Sequence, residues 1–357
     1  MKTYIKFIIF KYLRSFFFIF LIMFCLVFIL NLLSELDFFK NLDVRSLFPI
    51  YLTFLNSVSI IFEMFPFVFL ISTQFFFIIF FKNSELNTFK YSGLKNLSII
   101  KIISFLSLIM GIIIIIFYYN IASNFKNFYL ELKSQYTSDD KYLAVITNNG
   151  LWIKDKVKDK TRFVNSKKIK ANFLIENSIT EFDEDFELIR HIKSEKIDIK
   201  DKEWIVHNAT IFNKNNNNSQ KKLQLKSNFD YQKIQSLFSN LSSLSILELF
   251  KLKDNYKLLG YSMVEVDMQI HKLISYPLYF ILMTILSSIL MLNFKNLNST
   301  GFKISIGLFF AVLIYYINNF FYVLGSTERM SILFSIWIPL IFLTSINFIM
   351  LKKINEK

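Results

Sequence analysis

Six long apolar runs dominate this sequence and restrict what the chain can fold into. Each run is about 18 residues or longer, the length that an α-helix needs to cross the hydrocarbon core of a bilayer. Three runs precede residues 122–270, whose composition is that of a soluble domain, and three follow them. The sequence therefore predicts an α-helical polytopic membrane protein with an inserted soluble domain. The predicted spans are Phe16–Leu33, Tyr51–Phe81, Leu97–Ile121, Leu273–Leu292, Phe302–Leu324 and Ile332–Leu351.

The chain divides into three predicted parts. Residues 1–121 hold an interfacial helix and the first three spans, residues 122–270 form the inserted domain, and residues 271–357 hold the last three spans. Apolar and polar residues alternate in the inserted domain, for example at Ile197–Ile199 and Ala209–Phe212, and this pattern is typical of strands with one buried face. We expect eight to ten strands in an antiparallel sheet, then a helical connector after Tyr231.

The Lys and Arg residues of the short connections predict the orientation of the spans. The two termini and the links after spans two and four carry thirteen basic residues and two acidic ones, Glu85 and Glu356. The link after span one has three acids against Lys40 and Arg45, and Glu328 balances Arg329 in the link after span five. The basic side is cytoplasmic by this rule. Both termini should therefore lie in the cytoplasm and the inserted domain on the opposite side of the membrane.

Several function classes lack support in the sequence. No phosphate-binding loop is present, so ATP hydrolysis is expected on another subunit. The three histidines are scattered and Cys25 is the only cysteine, so we predict no catalytic set, no metal site and no cofactor. The net charge of +14 collects at the ends of apolar runs, which argues against nucleic-acid binding.

The link between spans two and three contains a short helix signal. Ser84 is a candidate N-cap for a helix that starts at Glu85, and Gly93 is a candidate end. Leu86, Phe89 and Lys90 would share one face of it. Such a helix, held against the membrane, is suited to docking into a partner protein. The competing interpretation is a solvated turn with a basic flank, and the residues alone leave the two open.

Charged residues near the outer boundary offer further candidate sites. Glu63 lies within span two, three residues before Pro66, and is either a proton relay or a structural acid. Four cations flank the outer ends of spans one and three and are candidates for gripping an anionic lipid headgroup. The alternative for each of them is ordinary snorkelling. These cations are Lys40, Arg45, Lys126 and Lys133.

With this layout the sequence resembles the lipopolysaccharide export permeases of the LptF/LptG family, and looks more like LptG. The resemblance covers nearly the whole chain and depends on the order and spacing of short segments, not on any single one. These segments are Glu63–Pro66, Ser84–Leu86, Ser92–Gly93, Gly150–Asp155, Ile179–Asp183, Trp204, Leu244–Leu249, Gly260, Tyr261, Lys272 and Tyr276–Leu278.

The resemblance implies one half of a heterodimeric ABC exporter without enzymatic activity of its own. Its expected partners are a cytoplasmic LptB-like ATPase dimer, an LptF-like sister permease, LptC- and LptA-like bridge proteins, and lipopolysaccharide. The inserted domain would be a periplasmic β-jellyroll that begins the bridge. The link of Ser84, Glu85, Leu86, Phe89 and Gly93 would be the coupling helix, with Glu85 making an ionic contact to the ATPase.

The sequence departs from the family pattern at the outer end of span one. Asn31 stands roughly where family members carry a basic residue that contacts lipid phosphate, and Lys40 is the nearest lysine beyond it. Two other functions remain alternatives. One is a membrane-anchored periplasmic assembly or sensor protein, and the other is a proton-coupled lipid transporter that uses Glu63.

Overall fold

The structure is a computed structural model of the chain, and it forms two compact units. It describes residues 3–136, 151–157, 160–170, 172–213, 217–231, 234, 240–259, 261–294 and 299–355. Unit 1 combines Met1–Lys126 with Val264–Lys357, and unit 2 is Asn127–Met263. Each unit therefore has its own packing, and the chain enters and leaves unit 2 within the inserted segment.

Nine α-helices are described, and six candidate membrane spans among the described residues confirm the predicted membrane fold. The helices are α1 Thr3–Phe39, α2 Leu47–Lys82, α3 Glu85–Tyr91, α4 Asn96–Ile113, α5 Tyr119–Ser134, α6 Ile246–Leu259, α7 Val264–Asn293, α8 Thr300–Ser326 and α9 Ile332–Asn355. The expected interfacial helix is not separate, because it continues into the first span as α1. A π-helical turn, Ile114–Tyr118, joins α4 to α5 in one continuous third span.

Helices α2 and α7 form the centre of unit 1. In the most apolar stretch of 18 residues within each helix, 61% of the residues of α2 and 72% of those of α7 are buried. The corresponding shares are 17% in α1 and 11% in α8. Only one face of α1 is covered, at a helical spacing that includes Ile8, Tyr12 and Ile19. The apolar residues of α1 and α8 therefore face outward to lipid or to another protein.

Hydroxyl groups join four helices within unit 1. The Tyr12 hydroxyl on α1 lies 3.3 Å from Thr73 Oγ1 on α2 and 3.2 Å from Ser107 Oγ on α4. Ser107 Oγ lies 3.0 Å from Thr284 Oγ1 on α7. Thr73, Ser107 and Thr284 also lie within hydrogen-bond distance of carbonyls in their own helices, and the single proton of each hydroxyl goes either to that carbonyl or to a neighbouring hydroxyl. Such uncharged bonds suit a bundle surrounded by lipid.

Unit 2 contains a six-stranded antiparallel sheet in the order β1-β2-β3-β4-β5-β6, so every described strand pairs with its neighbour in sequence. This confirms the predicted β-domain with alternating burial, whereas the eight to ten strands expected compare with six among the described residues. A short turn that includes Lys200–Lys202 joins β4 to β5. The strands are β1 Leu151–Val157, β2 Lys160–Lys170, β3 Phe173–Phe182, β4 Leu188–Asp198, β5 Glu203–Asn213 and β6 Asn217–Lys226.

A row of charged side chains crosses the buried face of this sheet. Glu181 on β3 is fully buried and accepts hydrogen bonds from Arg162 on β2 and Arg190 on β4. Burial alone would raise the pKa of Glu181, but the two guanidinium groups outweigh it and hold that pKa below its usual range. Asp155 on β1 accepts a 2.9 Å bond from Asn228 Nδ2. Unit 2 therefore buries a carboxylate together with two guanidinium groups that offset its charge.

Candidate functional site

The predicted link helix exists as α3, and its ends lie where the sequence placed them. It starts at Glu85 after Ser84, whose φ of 55° is left-handed and whose side chain makes no cap hydrogen bond. At the other end Gly93 has φ +79°, Gly93 N donates to Lys90 O and Leu94 N donates to Phe89 O, each at 2.9 Å. This pair of bonds is the Schellman arrangement, which fixes a sharp helix end.

One face of α3 is packed onto unit 1. Leu86 is buried, and the Phe89 ring stacks on Phe80 of α2 with ring centroids 5.6 Å apart. Lys90 was expected to share this face, but its side chain is exposed. The opposite face carries Tyr91, which is 91% exposed. The helix is therefore anchored on one side and open on the other.

Glu85 is turned toward unit 1. Its carboxylate pairs with the ammonium group of Lys11 on α1, and Asn83 Nδ2 donates to the same oxygen at 3.1 Å. The second carboxylate oxygen is buried without a hydrogen-bond partner among the described residues. The Glu85 side chain is 20% exposed and that of Lys11 is 17% exposed. The predicted ionic contact between Glu85 and an ATPase stays a prediction, because the carboxylate already has an internal partner.

At the opposite end of unit 1 the structure brings Asn31 together with one of the four candidate cations. Lys126 Nζ donates to Asn56 Oδ1 at 2.7 Å, and Asn56 Nδ2 donates to Asn31 Oδ1 at 3.0 Å. Asn31 Nδ2 in turn donates to Thr53 O at 3.2 Å. This polar cluster joins α1, α2 and α5. A lysine from the third span therefore reaches the position at which the first span carries an asparagine.

The other three candidate cations lie elsewhere. Lys40 and Arg45 are exposed in the connection between α1 and α2. Lys133 belongs to unit 2, where its side chain is buried and donates to Tyr129 Oη at 2.8 Å. Lys40 and Arg45 present their charges to the surroundings, whereas Lys133 is packed against an aromatic ring.

Glu63 is exposed on α2 and has a cation nearby on another helix. Its carboxylate lies within electrostatic range of Lys272, Tyr276 and Tyr322. The Lys272 ammonium group lies 5.8 Å from the ring centroids of both tyrosines. Opposite charges at the same depth reduce the cost of placing either one in a membrane span. This arrangement fits a structural role for Glu63, since Lys272 already provides the opposite charge.

The family model described as lipopolysaccharide export system permease LptF/LptG matches residues 6–353. The chain belongs to the LptF/LptG family. This match confirms the resemblance seen in the sequence segments. It makes the chain a permease of the lipopolysaccharide export system and a multi-pass protein of the inner membrane. No individual curated protein matches the sequence.

Sequence reasoning about this LptF/LptG permease missed Lys11, which pairs with Glu85, and Lys272, which lies within electrostatic range of Glu63. Lys11 was counted only as part of the basic side, and Lys272 only as part of a family segment. A usable signal existed, because an acid at the edge of an apolar run needs a cation at the same depth. Within the described ranges no group of three or more His, Cys, Asp or Glu residues is arranged to hold a metal ion.

Proposed function

We propose that this LptF/LptG permease extracts lipopolysaccharide from the outer leaflet of the inner membrane, driven by a separate cytoplasmic ATPase. The observation that carries the proposal is α3, which is anchored through Leu86 and Phe89 and leaves Tyr91 exposed. An anchored helix with an exposed aromatic side chain is suited to a protein interface. The ATPase would dock on this exposed face.

The uncovered helices support the rest of the mechanism. Helices α1 and α8 are spans one and five, which we expect to form the contact with the sister permease and the lateral gate for lipid. They have the lowest buried share of the six spans, and α8 presents large exposed side chains such as Phe309, Tyr316 and Phe320. Closure of the gate against the sister permease would be a rigid-body motion. The lipid would then pass to LptC- and LptA-like bridge proteins.

The proposed orientation puts both termini and α3 in the cytoplasm and unit 2 in the periplasm, in line with the distribution of basic residues. A cysteine introduced at an exposed position of each side tests it in a Cys25→Ser background. Glu184→Cys should react with a membrane-impermeant maleimide in intact cells, and Tyr91→Cys should react only after lysis. The reverse pattern would contradict the orientation.

Headgroup recognition is proposed at the outer helix ends. Lys40 and Arg45 are exposed cations, and the Lys126–Asn56–Asn31 cluster offers a third cation beside polar amides. Photo-crosslinking groups at positions 40, 45, 126 and 133 should capture lipopolysaccharide at 40, 45 and 126 in preference to 133, because Lys133 is buried. Crosslinking that depends on ATP would connect the site to transport.

The docking proposal is tested by comparing two exposed tyrosines of unit 1. Tyr91→Ala should reduce co-purification of the ATPase about tenfold, since truncating a large interface side chain costs about 1.4 kcal/mol or more. Tyr51→Ala, at the other end of α2, should leave it unchanged. If both variants retain the ATPase fully, α3 is not the docking site. If export survives those changes but stops in Glu63→Gln, the proton-coupled alternative is favoured instead.

A further inference from the structure

Two contacts hold α3 to the first turns of α1. The first is the ion pair between Lys11 on α1 and Glu85 on α3. The second is aromatic, because the Phe7 and Phe89 ring centroids are 5.9 Å apart and Phe89 also stacks on Phe80. The Lys11 ammonium group lies 5.2 Å from the centroid of the Phe7 ring, which connects the two contacts. Glu85 and Phe89 of α3 therefore contact neighbouring residues in the first turns of α1.

The ion pair has little access to water. Both side chains are four-fifths covered or more, and Asn83 Nδ2 donates to the bonded Glu85 oxygen. A charge-assisted hydrogen bond is stronger than a neutral one, and water screens it less when it is covered. Removing either partner would leave the other charge largely covered and unpaired, which is destabilising.

Beyond this contact α1 packs on α2 along one face, with Asn31 bonded to Asn56 and Thr53, and its other face is uncovered. Past Ile19, its buried residues are Val27, Glu35 and Phe39 alone among the described residues. The helix is also continuous from Thr3 to Phe39, with no proline inside it. A displacement at its first turns would therefore reach the opposite end of the membrane without an intervening hinge sequence.

We propose that Lys11 and Glu85 form an internal clamp that makes α3 and α1 one mechanical unit, so that force received by α3 moves α1 directly. This inference rests on the proposed function, in which α3 receives the ATPase. Glu85 is then a positioning residue that acts through Lys11, and Lys11 is its partner in coupling. The docking contact itself belongs to the exposed face around Tyr91.

A charge exchange tests the clamp in the complex of this permease, the sister permease and the ATPase. Lys11→Glu and Glu85→Lys should each lower cell-surface lipopolysaccharide per ATP hydrolysed about tenfold, which corresponds to about 1.4 kcal/mol of lost coupling. The double variant Lys11→Glu/Glu85→Lys restores opposite charges and should recover export to within about threefold of the wild type. Co-purification of the ATPase with Lys11→Glu should stay within about threefold, because the docking face is unchanged.

Lys6→Glu is the matched control, since it makes the same charge change on an exposed residue of the same turns. It should leave export unchanged. If Lys11→Glu exports as well as Lys6→Glu, and the double variant loses export as Glu85→Lys does, the clamp is wrong. Glu85 then contacts the ATPase directly. If the wild-type permease retains no ATPase, the proposed function fails instead, so the two failures are distinguishable.

A reducible crosslink provides a second test that does not depend on charge. Phe7→Cys and Phe89→Cys, in a Cys25→Ser background, place thiols at two positions whose native rings are in contact, and a bifunctional methanethiosulfonate reagent can bridge them. The crosslinked protein should keep ATP-driven export, because the bridge joins parts that already move together. Loss of export on crosslinking, restored by reductant, would show that α1 and α3 must separate and would overturn the clamp.

Discussion

The two units of this LptF/LptG permease stabilise buried polar groups in different ways. Unit 2 buries ionised side chains, with Glu181 accepting from Arg162 and Arg190 across three strands. The centre of unit 1 uses hydroxyl groups that lie within hydrogen-bond distance of each other and of carbonyls in their own helices, as Ser107 and Thr284 do. Buried charges of unit 1, such as Glu35 and Lys303, lie close to helix ends.

The difference follows from what surrounds each unit. A side chain of unit 2 leaves water when the sheet folds, so a carboxylate there needs a close cation to offset its lost hydration. Unit 1 is surrounded by lipid, where a charge is costly in the unfolded and the folded protein alike. Hydroxyls satisfied by a carbonyl in the same helix avoid that cost. The effects of substitutions on stability should therefore differ between the two units, both in size and in pH dependence.

The largest effect is expected at Glu181 in unit 2. Glu181→Gln removes the shared partner of two arginines that are themselves mostly covered, so the free energy of unfolding should fall by about 3 kcal/mol at neutral pH. The lowered pKa of Glu181 means that this stability is present above its unfolded pKa of about 4.3 and is lost as pH falls through the folded pKa. Wild type and variant should converge in acid.

Hydrogen exchange of β2 to β4 as a function of pH measures this effect in the whole protein. Glu176→Gln is the control, because the ion pair of Glu176 with Lys167 is exposed and contributes little. A variant at Glu181 that is equally less stable at all pH values would show that its effect is one of packing and not of charge.

A smaller effect is expected at Gly111 in unit 1. A Cβ at this position would lie 3.0 Å from Phe280 Cδ2 and 3.1 Å from the Cα of Pro277, so α4 could approach α7 this closely only through glycine. Gly111→Leu should lower the free energy of unfolding by about 1–3 kcal/mol, because the larger side chain overpacks this contact, and the effect should not depend on pH. Gly301→Leu, whose Cβ would have no atom within 4 Å, should leave the thermal midpoint in detergent nearly unchanged. An equal fall of the thermal midpoint in both variants would contradict the close contact between α4 and α7.

The hydroxyl pair should contribute less again. Thr284→Val removes the 3.0 Å contact with Ser107 Oγ and should cost about 0.6 kcal/mol, the usual size for such bonds inside membrane proteins. A double-mutant cycle with Ser107→Ala isolates the pairwise free energy from the change in volume. A coupling as large as the Glu181 effect would remove the contrast between the two units.

The smallest effect is expected at Cys25. Its side chain is exposed on α1, so Cys25→Ser should change neither stability nor export. A membrane-permeant maleimide should label Cys25 in the isolated permease. If the sister permease covers α1, as proposed, labelling should be slower in the assembled complex, and unchanged labelling would argue against α1 as part of that contact.

The elements of the fold that could be predicted are those that depend on local sequence patterns. Apolar length predicted the six spans, alternation predicted strands such as β4 and β5, and Ser84 and Gly93 marked the two ends of α3. The continuity of α1 was not predicted, because an interfacial helix was expected before the first span. One of the basic residues in that segment makes a partly buried contact, since Lys11 faces Glu85 instead of water.

The sequence by itself determined the class of protein, its family and its layout of three spans on each side of a β-domain. These properties depend on the length, hydrophobicity and order of segments, which folding does not change. Only the tertiary structure decided which group each isolated charge meets. Lys11 and Glu85 are 74 residues apart and Lys126 and Asn56 are 70 apart, so packing of whole helices, and not local sequence, brings each pair within bonding distance.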